Sequence, residues 1–320
     1  MSAFFVMFRS VLLLVCLALP GFWLAKKGVL KMEDTHSFSL LLTKAAFPVF
    51  IFSGTLSGFS LQKESLLLFA KTLVPAIVGM LFISLCVGFI YKRIPDHKKK
   101  GTMEFCAVFP NNGLLGLPLA MAVLGDKSPV IPLMILMNIL TNILVYTVGI
   151  VQLSGDKKNI SLKHIFLNPV MIAFFCGVAV KASGVDAFVP EIGKFADYFG
   201  KLVTPLSMTV LGMKLASFPL KKIFTSLETY GVAVCKLVLF PAVIVGTMLL
   251  LGKVLPSLSD QTMILATFFT MAMPTAGLAS SLAESFGGDG ENAAKFTLGT
   301  TLLCVLTVPL LYSLLGIFLS

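Results

Sequence analysis

A proline-asparagine-asparagine-glycine run is the part of this sequence that most clearly indicates chemistry. It lies inside the apolar stretch FPNNGLLGLPLAMAVLGD at 109–126. Pro110 removes a backbone donor, and Asn111, Asn112 and Gly113 are poor residues for the middle of a helix. A break inside an apolar span is tolerated only where protein or a water-filled cavity satisfies the backbone groups that it exposes. The run therefore predicts a polar binding site at membrane depth.

A second break has the same order of residues. The stretch MPTAGLASSLAESFGGD at 273–289 also runs from a proline through small or polar residues to a glycine, an apolar stretch and Gly-Asp. It contains Pro274, Thr275 and Gly277. Paired breaks in the two halves of a chain are the best sequence indication of a transporter site. The alternative is a simple proline kink, which is the interpretation we give to Pro132.

Polar side chains near the breaks have two interpretations. We expect Asn111 or Asn112 to cap the half-helix after the first break, and Thr275 to cap the one after the second. The next span carries Asn138 and Asn142, one turn apart on one helix face. These two amides could form a polar wall of a substrate cavity, or they could make hydrogen bonds between helices.

One lysine lies deep in an apolar span. Lys236 is about ten residues into a span that starts near residue 226, which is about 15 Å of helix in a hydrocarbon core about 30 Å thick. It could contact an anionic substrate, or it could pair with backbone carbonyls that a break leaves free. Lys71 holds the matching position in the first half of the chain. Lys44 and Lys214 lie near span ends, and we expect them to extend toward the membrane surface.

Composition indicates that the elements which position these residues are membrane helices. Only 12% of the 320 residues are charged, 57% are hydrophobic, and the mean hydropathy is +0.96. Soluble domains carry about 25% charged residues, so a soluble enzyme is excluded, and so is a disordered chain. The net charge of +10 resides mostly in connections between apolar runs. This pattern indicates membrane topology, and no nucleic-acid partner is expected.

Ten apolar stretches are long enough to be spans. They are 5–25, 38–60, 66–90, 104–124, 129–153, 165–183, 196–216, 226–251, 261–284 and 295–318. The connections after odd-numbered spans hold fourteen basic residues and those on the other side hold seven. The first set is therefore expected in the cytoplasm, which places both termini outside a cytoplasmic membrane.

The two halves of the chain repeat the same proline pattern. Pro48, Pro75 and Pro110 correspond to Pro205, Pro241 and Pro274. Five spans in each half give the halves opposite orientations, so we predict an all-α membrane protein built from two inverted five-helix repeats. The first repeat would cover 1–153 and the second 165–320, with a cytoplasmic linker at 154–164.

Cysteines and histidines give no sign of a metal or a cofactor. The six cysteines lie singly inside apolar runs, and the three histidines lie in separate polar connections. Since neither a zinc pattern nor HExxH is present in the sequence, we expect no metal, no cofactor and no enzymatic activity.

The two break motifs and the ten-span layout resemble the auxin efflux carrier family. That family includes bacterial permeases for malate, malonate and similar organic acids, and the plant auxin exporters. The resemblance implies a fold similar to bile-acid symporters and sodium/proton antiporters, in which helices 4 and 9 cross at their breaks. It makes Pro110 and Pro274 the crossover prolines, with Asn111, Asn112 and Gly113 lining the site. It also implies a scaffold of helices 1, 2, 6 and 7 that often forms a homodimer contact.

The resulting prediction is a secondary transporter of a small organic anion, a mono- or dicarboxylate, that works by alternating access in the lipid bilayer. The alternative is a sodium- or proton-coupled symporter or antiporter on the same scaffold, and a coupling ion stays open. The predicted substrate-binding residues are Pro110, Asn111, Asn112, Gly113, Asn138, Asn142, Lys236, Pro274, Thr275 and Gly277.

Overall fold

The fold is helical throughout the part of the chain that the structure describes. A computed structural model describes residues 3–60, 62–253 and 260–319, and these ranges contain no β-strand. Residues 1 and 320, where the predicted repeats begin and end, lie outside the described residues.

Helices α1 to α9 occupy the first half of the chain. They are α1 (Ala3–Cys16), α2 (Leu19–Lys26), α3 (Met32–Leu41), α4 (Phe47–Gly58), α5 (Lys63–Ile90), α6 (His97–Val108), α7 (Leu117–Leu124), α8 (Val130–Leu144) and α9 (Ile150–Ser154).

Helices α10 to α20 occupy the second half. They are α10 (Leu162–Phe166), α11 (Pro169–Ser183), α12 (Val185–Phe188), α13 (Glu191–Gly200), α14 (Val203–Ser217), α15 (Leu220–Phe224), α16 (Leu227–Val234), α17 (Phe240–Gly252), α18 (Gln261–Met271), α19 (Ala279–Phe286) and α20 (Gly290–Leu319).

Six helical segments are long and apolar enough to cross a membrane. They are Phe4–Lys26, Met32–Gly58, Lys63–Ile90, Val130–Ser154, Leu227–Leu250 and Gly290–Leu319. Shorter apolar helices cover Asn112–Leu124, Pro169–Ser183 and Gln261–Met271. One face of α5 exposes Val74, Val78, Leu85 and Phe89, as a helix in contact with lipid does. The chain is therefore a multi-pass membrane protein.

Three prolines are each preceded by a widened, π-helical turn. These turns are Leu42–Ala46 before Pro48, Asn112–Gly116 before Pro118 and Cys235–Leu239 before Pro241. Proline lacks an N–H group and clashes with the carbonyl four residues earlier, so the preceding turn relaxes to a wider one. The first break, and the positions of Lys44 and Lys236, coincide with these irregular turns.

The helix that leads into the first break starts earlier than the sequence predicts. It begins at His97 and not near 104. The Asp96 side chain accepts hydrogen bonds from the backbone N–H groups of Lys98 (2.9 Å) and Lys99 (3.3 Å), which caps this start. A membrane criterion based on apolar length misses such a charged first turn.

The helices pack in two groups. In the first group, α2 and α3 pack on α14, and α4 packs on α11 and α13. In the second group, α5, α6, α8 and α16 to α20 pack on one another, and α1 packs on α20 and α7. Close packing of α2 on α14 depends on glycine, because a β-carbon on Gly21 would overlap the carbonyl of Thr209. The two breaks lie in the second group, and cavities separate them from parts of the first.

Candidate functional site

The two broken helices meet backbone to backbone. Helix α6 ends at Val108 and α18 ends at Met271, and the segments that follow them pair as a short antiparallel bridge. The N–H of Asn111 donates to the carbonyl of Pro274 at 2.7 Å, and the N–H of Ala276 donates to that of Phe109 at 2.9 Å. Each break thus provides hydrogen-bond partners for backbone groups of the other. These groups are therefore not left unpaired inside the membrane, where an unpaired group is costly.

Thr275 lies inside the crossing and not on its surface. Its side chain is fully buried, and its hydroxyl donates to the carbonyl of Cys106 at 2.7 Å. Its N–H donates to the hydroxyl of Thr300 on α20 at 3.1 Å. The predicted role of Thr275 as a helix cap is wrong, because its hydroxyl is used by a carbonyl of the other broken helix.

Lys236 bridges the C-terminal ends of α6 and α18, the half-helices that precede the two breaks. Its side chain is 1% exposed, and its Nζ donates to the carbonyls of Val108 and Met271, each at 3.3 Å. These residues are the last of α6 and α18. Each helix end carries roughly half a negative charge, so together they match one ammonium group. The sequence left two interpretations of Lys236 open, contact with an anionic substrate and pairing with backbone carbonyls. Its contacts in the structure are those of carbonyl pairing.

Asn112 belongs to a buried network with α8. The Nδ2 of Asn138 donates to the Oδ1 of Asn112 at 2.9 Å, and the Nδ2 of Asn112 donates to the hydroxyl of Thr141 at 3.2 Å. The Nδ2 of Asn142 donates to the Oδ1 of Asn138 at 3.2 Å. These hydrogen bonds hold the start of the half-helix that follows the first break against α8. One function of the predicted polar wall is therefore to join helices.

A cavity of about 440 Å³ opens beside this network. Seven of the ten predicted residues line it: Pro110, Asn111, Asn112, Gly113, Asn138, Asn142 and Gly277. We call it the first cavity. Lys236, Pro274 and Thr275 do not line it, because they are buried within the crossing.

A second cavity of about 230 Å³ lies next to the first. It is bordered by α14, α19 and α20, and it contains Lys214 and Glu284. Both cavities share Asn111, Gly277 and Ser281 in their walls. The strip formed by these three residues is therefore accessible from two sides.

The half-helices that face this strip have uncapped starts. Neither Asn111, at the start of the π-helical turn before α7, nor Leu278, at the start of α19, makes a side-chain capping hydrogen bond. The prediction that Asn111 or Asn112 caps its half-helix is wrong, because Asn112 bonds to α8 and the Asn111 side chain makes no hydrogen bond among the described residues. The N–H of Ala279 donates to the carbonyl of Ala276 at 3.0 Å, but the next N–H groups of both starts make no hydrogen bond among the described residues and stay available to a ligand.

Comparison with known proteins identifies the family. A family model described as "Membrane transport protein" matches residues 6–312. The chain belongs to this family. It is the auxin efflux carrier family that the two break motifs predict, and that prediction is confirmed.

Two relatives carry the name transporter. One, from Rhizobium meliloti, is provisionally named a malonate transporter and is 28% identical over 235 residues, or 71% of this chain and 70% of its own. An uncharacterized transporter of Methanothermobacter thermautotrophicus is 25% identical over 311 residues, 94% of this chain and 96% of its own. With the family match, these relatives make the chain a membrane transporter.

Sequence reasoning missed several residues of this transporter's cavities. Lys163 and His164 on α10 border the first cavity, and Lys44 reaches it from the π-helical turn of the second span. Lys214 turns into the second cavity, where its Nζ donates to the carbonyl of Gly277 at 3.5 Å. The sequence offers no signal that distinguishes such lysines from those that extend to the membrane surface, because the two kinds occupy similar positions along a span.

Proposed function

We propose that this transporter moves a small organic anion, a mono- or dicarboxylate, across the cytoplasmic membrane by alternating access. One observation carries the proposal: two uncapped half-helix starts face the same cavity beside Asn111 and Gly277. Each start carries about half a positive charge and free N–H groups, which favour carboxylates. Lys44 and Lys163 line the same cavity and add formal positive charge.

The charge of the first cavity supports an anion over a cation. Among the described residues that line it, there are two lysines and a histidine but no Asp or Glu. A bound organic cation would meet positive charge there with no carboxylate to offset it. The amide of Asn111, which makes no hydrogen bond within the described residues, supplies a donor and an acceptor for the substrate.

The architecture that we propose is a ten-span inverted repeat, with 1–153 and 165–320 as the repeats and 154–164 as the linker. Support comes from the two crossing breaks and from the packing of α2, α3 and α4 on α11, α13 and α14, which is in line with a scaffold built from parts of spans 1, 2, 6 and 7; α1, the first part of span 1, packs on α20 instead. Movement of one group against the other would expose the strip around Gly277 to alternate sides. A homodimer through the scaffold stays a prediction.

Reporter fusions test the topology. Fusions after Arg93 and after Lys158 are expected to report the cytoplasm, and a fusion at the C-terminus is expected to report the outside. The reason is the excess of basic residues in the connections that hold Arg93 and Lys158. A cytoplasmic C-terminus would contradict an even number of spans with the first residue outside.

Asn111→Asp tests the anion site with an isosteric change. The new carboxylate would lie where the substrate's carboxylate binds, so we expect malonate uptake into proteoliposomes to fall at least about tenfold, since like charges brought together cost several kcal/mol. Asn159→Asp makes the same change on an exposed residue of the linker and is expected to leave uptake unchanged. Uptake by Asn111→Asp at the native rate, or displacement of malonate by malonamide as well as by carboxylates, would rule out this anion site.

Cation coupling on the same scaffold is the second candidate. The observation that favours it is Glu284, a carboxylate that lines the second cavity. Uptake measured with and without sodium and proton gradients separates this candidate from uniport, because only a coupled transporter accumulates the anion against its own gradient.

A further inference from the structure

We propose that Lys214 is a specificity-determining residue that binds a second carboxylate of the substrate in the second cavity. The inference rests on the anion transport proposed above and assigns a specificity-determining residue to the same site. The first carboxylate would occupy the strip beside Asn111, as above. A substrate with only one carboxylate would leave Lys214 without an anionic partner.

Lys214 lies next to the strip that both cavities share. Its side chain is half-buried on α14, and its Nζ is 3.5 Å from the carbonyl oxygen of Gly277. The Nδ2 of Asn111 lies 3.5 Å from the position that a β-carbon on Gly277 would take. The ammonium group and the amide therefore both lie next to Gly277, close enough for one short ligand to contact both.

The second cavity offers further donors that have no partner. The hydroxyl of Thr297 is buried, lines the cavity and makes no hydrogen bond. Ser280, half-buried, and Ser281, exposed, also line this cavity, and their hydroxyls make no hydrogen bond among the described residues. Buried polar groups of native proteins are normally paired, so the unpaired hydroxyl of Thr297 is the one that calls for an explanation, and an acceptor oxygen of a ligand would supply one.

Glu284, a carboxylate that lines this cavity, does not form an ion pair with Lys214. No ion pair within 4.0 Å joins Glu284 to Lys214 among the described residues. Glu284 turns instead to the start of α20, where its Oε1 lies 2.6 Å from the position of a β-carbon on Gly290. Glu284 therefore lies at the positive end of α20 and acts on Lys214 only through a longer-range electrostatic attraction, so no carboxylate is in contact with the ammonium group among the described residues.

The test compares three molecules of the same length that differ in charge: malonate, its monoamide malonamate and its diamide malonamide. Binding is measured on the full-length protein in lipid nanodiscs at fixed ionic strength. The native protein is expected to bind malonate at least about tenfold more tightly than malonamate, because breaking a buried charge pair costs that much or more. Lys214→Gln is expected to remove most of this preference by weakening malonate alone, and Lys214→Arg to retain it.

Binding of malonamate is the internal control for folding, since Lys214→Gln should change it less than about twofold if only the second carboxylate is affected. Lys44→Gln, in the first cavity, is expected to weaken malonate and malonamate by the same factor. Glu284→Gln is expected to increase malonate binding, because it removes the carboxylate that lines the same cavity as Lys214. If Lys214→Gln weakens both molecules equally or neither, the assignment of Lys214 is wrong while anion transport stands. If the native protein binds neither molecule, anion transport itself is wrong.

Discussion

Lys236→Met is expected to lose transport and to unfold far more easily than the native protein. The substitution removes the donor shared by the carbonyls of Val108 and Met271 and leaves both carbonyls buried. A buried acceptor that loses its partner costs about 1–3 kcal/mol, and two carbonyls lose theirs here. The variant is relieved in part because it no longer carries the cost of burying an ammonium group. The crossing that positions the two uncapped half-helix starts should loosen, and anion binding should be lost with it.

A thiol-reactive dye measures the stability of this variant. Cys106, Cys235 and Cys304 are buried, so in a background in which the more accessible Cys16, Cys86 and Cys176 are replaced by serine, labelling during heating follows unfolding. Malonate uptake into proteoliposomes measures transport. Both are expected to change sharply for Lys236→Met.

Lys71→Met is the matched control. Lys71 also lies within a span, but it is half-buried, and its side chain makes no ion pair or hydrogen bond among the described residues. Its replacement is expected to change the free energy of unfolding by less than about 0.5 kcal/mol. Native stability and transport in Lys236→Met would mean that the two helix ends need no cation.

The breaks could be predicted from the sequence because their causes act locally. Pro110, Asn111, Asn112 and Gly113 each disfavour a continuous helix, whatever surrounds them. Charge-poor stretches likewise predicted a multi-pass membrane protein, which the helices confirm. Membrane helices are easily predicted from sequence because the hydrocarbon environment is uniform along the whole span.

The contacts at the crossing could not be predicted, because they join residues far apart in sequence. Lys236 lies 128 residues from Val108, and Thr275 lies 169 residues from Cys106, yet each pair is in hydrogen-bond contact. Local reasoning gave Thr275 a capping role because threonine is favoured at the start of a helix. The carbonyl of Cys106, brought close by the other break, competes successfully for the same hydroxyl. Which lysines face a cavity is decided in the same way, by the packing of distant helices.

Asn112→Leu is expected to abolish transport while the protein still inserts into the membrane. Leucine cannot accept from the Nδ2 of Asn138 or donate to the hydroxyl of Thr141, so a buried amide loses its partner. An unpaired buried group costs about 1–3 kcal/mol, which is too little to prevent insertion but enough to displace the half-helix start from α8. Dye labelling should show a modest loss of stability, and malonate uptake should be absent.

Two comparisons separate the effect of Asn112 from a general effect of altering this region. Pro132→Ala changes a proline that we interpret as a simple kink, and uptake is expected to stay close to native. Asn111→Asp is expected to lose malonate binding with native stability, because its side chain has no hydrogen bond within the described residues to lose. Asn112→Leu should lose both, since it combines a structural contact with a position in the cavity wall. Normal uptake by Asn112→Leu would make the amide network dispensable and would place the binding groups on the Gly277 side of the strip.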